Sequence, residues 1–456
     1  MTICKTVASW VAALIICAAV PAAAATRMTN SCSYSDVSAA VQTAVDGDTV
    51  SVPAGTCSWP SGLSISKAIT LQGAGIGQTL IVNTNTTPNT SLIAIAESAV
   101  GNIAVRGFDF SFGPAGPGPG TFFIDVYYVA NGKPVLINAN KFALQTSGNA
   151  LRFQTNRGVI WANTFVATPW GPACLDNAGA LRHKASALPW NTPSTFGNAD
   201  RNGDSHVYFE SNTLTDLLEA IDVDDSARTV IRYNTFTNSS VISHGDDTSF
   251  LGGRYFELYN NNFAVDASPK CDGGLNTNLN VFVALRGGTA LIHDNVIPNP
   301  GAGAWGNKSA VVFVAEMLRR NAGPFACWGT STPGTYPAPR QSGWGYTTGA
   351  TRAGSTQVLQ DLEPIYLWNN TGTGNYNEPA VYDYYPNECG AAAPSVVNYI
   401  QRNREYYTST AKPGYTPYTY PHPLTGATSS SPAAPSSPTP SPAPTAPAAP
   451  SGLTVK

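Results

Sequence analysis

The chain has 456 residues, of which 12% are charged, and a formal net charge of −3. So sparse and balanced a charge gives no basic face for nucleic acid. With 42 glycines and only 3 methionines, the composition suits an exported β-rich protein better than a cytosolic helical one.

Lys5 is followed by an apolar run from Val11 to Val20 and by the small residues Pro21-Ala22-Ala23-Ala24-Ala25. This order predicts a signal peptide over residues 1–25 and a secreted or surface-associated product. No later segment is apolar enough to span a bilayer. Cys4 and Cys17 leave with the signal, and Cys32, Cys57, Cys174, Cys271, Cys327 and Cys389 remain. An even count in an exported chain reads as disulfides, with about fifteen possible pairings. Cys32–Cys57 is the pair expected to close the N-terminal end. The spacings do not resemble a zinc site.

Asp36 to Val45 has helical spacing, with Val37, Val41 and Val45 on one face. Such a helix is expected to cap an open first coil, whose edge would otherwise invite pairing with other chains. Thr49-Val50-Ser51-Val52 and Ile69-Thr70-Leu71-Gln72 then read as strands separated by turns.

A phrase now recurs: an apolar strand, then Asn, one residue, and an aromatic or aliphatic. It carries Asn140, Asn163, Asn212, Asn234, Asn261, Asn295 and, more weakly, Asn370. The shorter spacings are one coil of a solenoid; the longer ones are several coils, or one coil with a loop inserted. Strands this short cannot bury their apolar side alone, but stacking coil on coil does so. Asn suits a corner because it tolerates left-handed backbone and because its amide can bond to the Asn above and below. Two stretches, about Thr168–Gly203 and Pro298–Glu363, read as long insertions. After the body, residues 26–425, comes a Pro/Ser/Ala-rich linker over 426–450. Residues 451–456 resemble the start of a fibronectin type III segment.

The phrase Val45-Asp46-Gly47-Asp48-Thr49-Val50-Ser51-Val52-Pro53-Ala54-Gly55, followed by Ala68-Ile69-Thr70-Leu71-Gln72-Gly73 and the Asn-anchored coils, resembles the right-handed parallel β-helix proteins of the pectate-lyase-like superfamily. The resemblance covers about residues 32–425. It implies an all-β solenoid with an N-terminal capping helix and two long insertions, and a protein that handles an extracellular polysaccharide, expected to act as a monomer. The scaffold hosts lyases, hydrolases, epimerases and adhesins, so function has to come from a site.

Two sets of residues offer one. Placing the ladder strands in register puts Asn138, Trp161, Glu210, Arg232, Tyr259, His293 and Trp368 in one outward column. Aromatic faces take sugar rings and arginine takes carboxylates. Trp161, Glu210, Arg232, Tyr259 and His293, with Arg152 from another strand, are therefore the candidate substrate-binding residues; an ordinary solvated face with Glu210 paired to Arg232 is the alternative. The second set is the densest polar cluster in the chain: Glu219, Asp222, Asp224 and Asp225 on one coil, His244, Asp246 and Asp247 on the next, Arg286 on the coil after, with Glu316 continuing the row. A lyase on a uronate must neutralise the sugar carboxylate and remove the adjacent proton. His244 or Arg286 would be the base, Asp222 and Asp224 further catalytic groups or calcium ligands, and Asp225, Asp246 and Asp247 ligands of a calcium ion. A hydrolase would instead use two carboxylates about the glycosidic bond. Asp224-Asp225 and His244-Gly245 resemble the paired Asp and His-Gly of polygalacturonase-like hydrolases, whose Asn-Thr-Asp and Arg-Ile-Lys motifs are missing here. The same acids also suit turn ends or structural calcium. The expected function is polysaccharide lyase, with hydrolase, epimerase or non-catalytic polysaccharide binding as the alternatives.

Overall fold

A computed structural model describes residues 24–145, 148–167, 179–185, 205–217, 219–243, 253–265, 281–298, 310–315, 342–345, 361–373, 378–383 and 400–426, with residues 192, 194, 196, 197, 203 and 376. Among these, the strands form three parallel sheets of 12, 10 and 8 strands. From Thr49 to Leu285 each coil visits the twelve-stranded, the eight-stranded and then the ten-stranded sheet; in the later coils only the isolated bridges of Val296 and Thr371 continue the eight-stranded one. The chain is a parallel β-helix. Strand after strand alternates inward and outward residues. The inward ones, such as Ile137, Phe142, Leu151, Ile160 and Phe165, are fully buried in one continuous core. Phe110, Phe142 and Phe165 stack coil on coil, with ring centroids 5.2 and 5.0 Å apart.

The helix at the N-terminus spans Tyr34–Thr43; the Ser33 side chain caps it by accepting from the Asp36 amide. Val37 and Val41 bury one of its faces in the core, and the helix packs on the strands Thr49–Ser51, Gly55–Trp59 and Leu63–Ile65. A disulfide joins Cys32 to Cys57. Cys174, Cys271, Cys327 and Cys389 lie outside the described residues.

The seven asparagines form one file between the first two sheets. Each of Asn140, Asn163, Asn212, Asn234, Asn261 and Asn295 donates its backbone amide to the Oδ1 of the next, at 2.8–3.1 Å. Every gap is therefore a single coil, including the 75 residues between Asn295 and Asn370. Two details differ from expectation. The left-handed residue is not the ladder Asn but the one before it: Ala139, Ala162, Ser211, Tyr233, Asn260, Asp294 and Asn369 all have φ between 53° and 57°. The bend at that residue swings the following Asn side chain into the corner, where its amide meets the coils on either side. Second, neither insertion is wholly outside the stack. Leu181–Lys184 and Val311–Ala315 are strands of the ten-stranded sheet. They go unread in the sequence because the ladder marks the opposite corner.

Candidate functional site

The two candidate sets lie on different faces of the prism. The first column is in register as expected: Asn138, Trp161, Glu210, Arg232, Tyr259, His293 and Trp368 pair in turn along the twelve-stranded sheet. As an open sugar-binding strip it has to be corrected. Glu210 and Arg232 are 0% exposed, and Tyr259 and His293 1%. The chain's own C-terminal segment lies over them. Arg232 donates from Nε to Glu210 Oε2 at 2.8 Å, and from Nη1 and Nη2 to the carbonyls of Tyr418 and Thr419 at 2.8 and 3.0 Å. The His422 amide donates to Glu210 Oε1, and Tyr415 Oη to Glu257 Oε2. Trp161 is half-buried against the same layer. Strand alternation says that a side chain leaves the coil; it does not say what lies on top of it.

The second set is on the outer face of the ten-stranded sheet. One outward row reads Asp125, Arg152, Arg182, Asp222 on four successive coils, and the next reads Lys184, Asp224. Arg152 donates from Nε to Asp125 Oδ1 at 2.9 Å. Arg182 reaches Asp222 Oδ2 at 2.8 Å and Glu219 Oε2 at 3.1 Å, and Lys184 reaches Asp224 Oδ2 at 2.6 Å. Successive strands lie about 4.8 Å apart, so two neighbouring arginines, Arg152 and Arg182, are flanked along the axis by Asp125 and Asp222. Asp125, Asp222 and Asp224 are buried beneath their cations, the Lys184 side chain being 39% exposed over an Asp224 that is 0% exposed, whereas Glu219 is the more exposed partner of Arg182.

The electrostatics favour keeping these cations charged. Burial works against the Lys184 ammonium, but the nearby Asp224 carboxylate outweighs it and raises the pKa. Burial likewise opposes the Arg182 charge, and Asp222 and Glu219 overcome it. Between them, His183 points inward. Its Nε2 meets the Thr155 carbonyl at 2.8 Å, so that nitrogen carries the proton, and the Thr229 hydroxyl donates to Nδ1 at 2.7 Å. Burial lowers its pKa to about 3 and leaves it neutral.

Of the residues proposed from sequence, Asp222, Asp224 and Arg152 therefore share one face. Arg286 directly follows the strand Val283–Leu285 and donates its amide to Ser243 Oγ. By alternation it belongs to the Lys184–Asp224 row, two coils and roughly 10 Å beyond Asp224. His244, Asp246, Asp247 and Glu316 lie outside the described residues. Asp225 sits in the turn after its strand, at φ 47°, with its amide on Asp224 Oδ1. Among the described residues, no group of three His, Cys, Asp or Glu is arranged to hold a metal. Asp222 and Asp224 turn their carboxylates to Arg182 and Lys184, so a calcium ion does not fit between them as they stand.

Sequence reading missed Arg182, Lys184 and Asp125. The alternation Leu181-Arg182-His183-Lys184 was the available signal, but one four-residue strand between long connections carries little weight. The connections themselves are informative. The stretches 168–178, 186–204, 244–252, 266–280, 298–309, 316–363 and 384–399 all enter or leave strands of this one sheet.

No family model and no curated protein matches the sequence. Among solved structures, an alginate lyase from Paenibacillus sp. str. FPU-7 is similar at 12% identity, covering 79% of this chain and 98% of that one, with a TM-score of 0.40. A PL6 family polysaccharide lyase from Pseudopedobacter saltans gives 10% identity, 85% and 94% coverage and a TM-score of 0.41. A GH87 α-1,3-glucanase from Streptomyces thermodiastaticus gives 13%, 87%, 70% and 0.33. Likenesses this faint carry no argument about activity; the fold rests on the three parallel sheets themselves. No helix among the described residues is long and apolar enough to cross a membrane.

Proposed function

We propose that the protein is a secreted carbohydrate-active enzyme, a polysaccharide lyase that cleaves an acidic glycan by β-elimination on the outer face of the ten-stranded sheet. The observation that carries this reading is the placement of Arg182 and Lys184 on one strand, each held charged over a buried carboxylate of the next coil. A uronate lying there meets the Lys184 ammonium, the most exposed cation of this face, where its own carboxylate needs neutralising. That charge acidifies the proton beside the carboxylate, which is the first requirement of elimination. In this reading the base is His244 or Arg286, and Lys184, kept protonated, supplies a proton to the departing glycosidic oxygen. In this reading cationic side chains do the neutralising, and calcium is confined to Asp225, Asp246 and Asp247 in a structural role.

The hydrolase reading is less well supported, because Asp222 and Asp224 both turn their carboxylates to cations of the preceding coil. The deciding experiment is incubation with a panel of uronate polymers. The expected result is rising ultraviolet absorbance from an unsaturated product, abolished in Lys184→Ala. Reducing ends without that absorbance would establish a hydrolase. Binding with neither signal would leave an adhesive protein.

A further inference from the structure

The covering layer on the twelve-stranded sheet has a direction. After the last strand, Tyr406–Thr408, the chain turns back along the outer face. Lys412 Nζ lies over the rings of Tyr366 and Phe196, 5.1 Å from each centroid. Tyr415 stands edge-on to Trp368 and His293, at 5.8 and 5.4 Å, and bonds Glu257. The carbonyls of Tyr418 and Thr419 receive Arg232, and Tyr420 stacks on Tyr233 at 3.6 Å. His422 packs on Tyr208 at 4.5 Å and bonds Glu210. Finally the short helix Pro423–Thr425 meets the strand Gly158–Trp161. In sheet order these contacts fall on six consecutive strands, a run of about 24 Å at the usual strand spacing.

We propose that residues 412–425 are an axial clasp that joins these six coils into one cooperative unit, with Arg232 as its central catch. In a solenoid each coil touches only its neighbours, so an end can unravel coil by coil. A segment bonded to coils well apart in the stack removes that freedom: the last coil cannot leave without breaking contacts at the middle of the body. Arg232 is suited to the catch because it binds both sides at once. It holds Glu210 and Tyr259 on the prism and two carbonyls on the clasp, with its guanidinium beside the rings of Tyr208, Tyr259, Tyr418 and Tyr420 at 5.3–5.9 Å.

The test is amide hydrogen exchange, read by peptide mass spectrometry on the full chain and on Arg232→Met and Tyr415→Phe. Arg232→Met removes the catch; Tyr415→Phe removes only one hydroxyl and keeps the ring, so it stays informative if the first variant misfolds. The expected result is exchange at least tenfold faster in Thr289–His293 and Ile365–Trp368, together with residues 412–425, while Thr70–Gln72 and Ile103–Arg106 are unchanged. Faster exchange confined to residues 412–425 would make the segment a passive cover and overturn the proposal. A uniform increase along the whole chain would overturn it equally.

Discussion

The backbone amide of Asn163 donates to Oδ1 of Asn212 at 2.9 Å, although 49 residues separate the two in sequence. That one bond turns an irregular spacing into a single coil, and it sets the first prediction. Asn212 also donates from Nδ2 to the Ile160 and Glu210 carbonyls and accepts from the Asn163 side chain. Asn212→Ala takes the Oδ1 acceptor from the buried Asn163 backbone amide and the Nδ2 donor from the Ile160 and Glu210 carbonyls. Each orphaned group costs about 1–3 kcal/mol, so a loss of roughly 2–4 kcal/mol is expected in chemical denaturation. A loss below about 0.5 kcal/mol, a typical surface effect, would show that the file is not what holds the corner.

Acid should weaken the fold through His183. Its folded pKa is lowered to about 3 by burial, whereas an unfolded histidine titrates near 6.5. Between those values the unfolded chain binds the extra proton, so stability falls as pH drops from about 6.5 towards 3, by up to about 1.4 kcal/mol per pH unit from this group. The loss ceases below the folded value. Denaturation midpoints against pH should be flatter in this window for His183→Gln, and an unchanged slope would refute the assignment.

Lys184→Ala is expected to lower turnover on a uronate polymer by about a hundredfold or more, the usual scale for a lost general acid. It should also lower stability, because the variant takes the Lys184 partner from an Asp224 carboxylate that is 0% exposed. The pKa is raised, so the pair's contribution is complete below the unfolded lysine value of about 10.4 and is lost only as pH rises through the folded value. Activity should therefore not report this group's titration near neutrality. An inflection near pH 7 that disappears in Lys184→Ala would contradict the role.

The Cys32–Cys57 disulfide spans a separation of 25 residues. Loop closure of that size is worth about 3 kcal/mol. The double variant Cys32→Ser/Cys57→Ser should unfold at correspondingly lower denaturant, and exchange should rise first in Tyr34–Thr43 and Gly55–Trp59. Equal stability of the two proteins would show that the helix and Trp59 hold this end without the bond.

The architecture was legible because its marker is local. Each ladder Asn sits at a fixed distance after an apolar strand, and a buried side-chain amide with two donors and an acceptor is satisfied by copies of itself on either side. The disulfide was legible from position near one end. The charged face was only half legible. Asp222 and Asp224 stand in a conspicuous acidic phrase, but their partners Arg182 and Lys184 come from 40 residues earlier, across a connection with no repeat to count.

The sequence by itself determined the periodicity: which residues face inward, which share a row, and that the coils stack, since alternation and the asparagine spacing are properties of neighbouring residues. Only the tertiary structure decided which outward row is open and which is covered. Glu210 and Arg232 look like surface residues in any reading of their own strands. They are buried by a segment 212 and 186 residues downstream of them, respectively, and no local pattern encodes where a distant stretch of chain comes to rest.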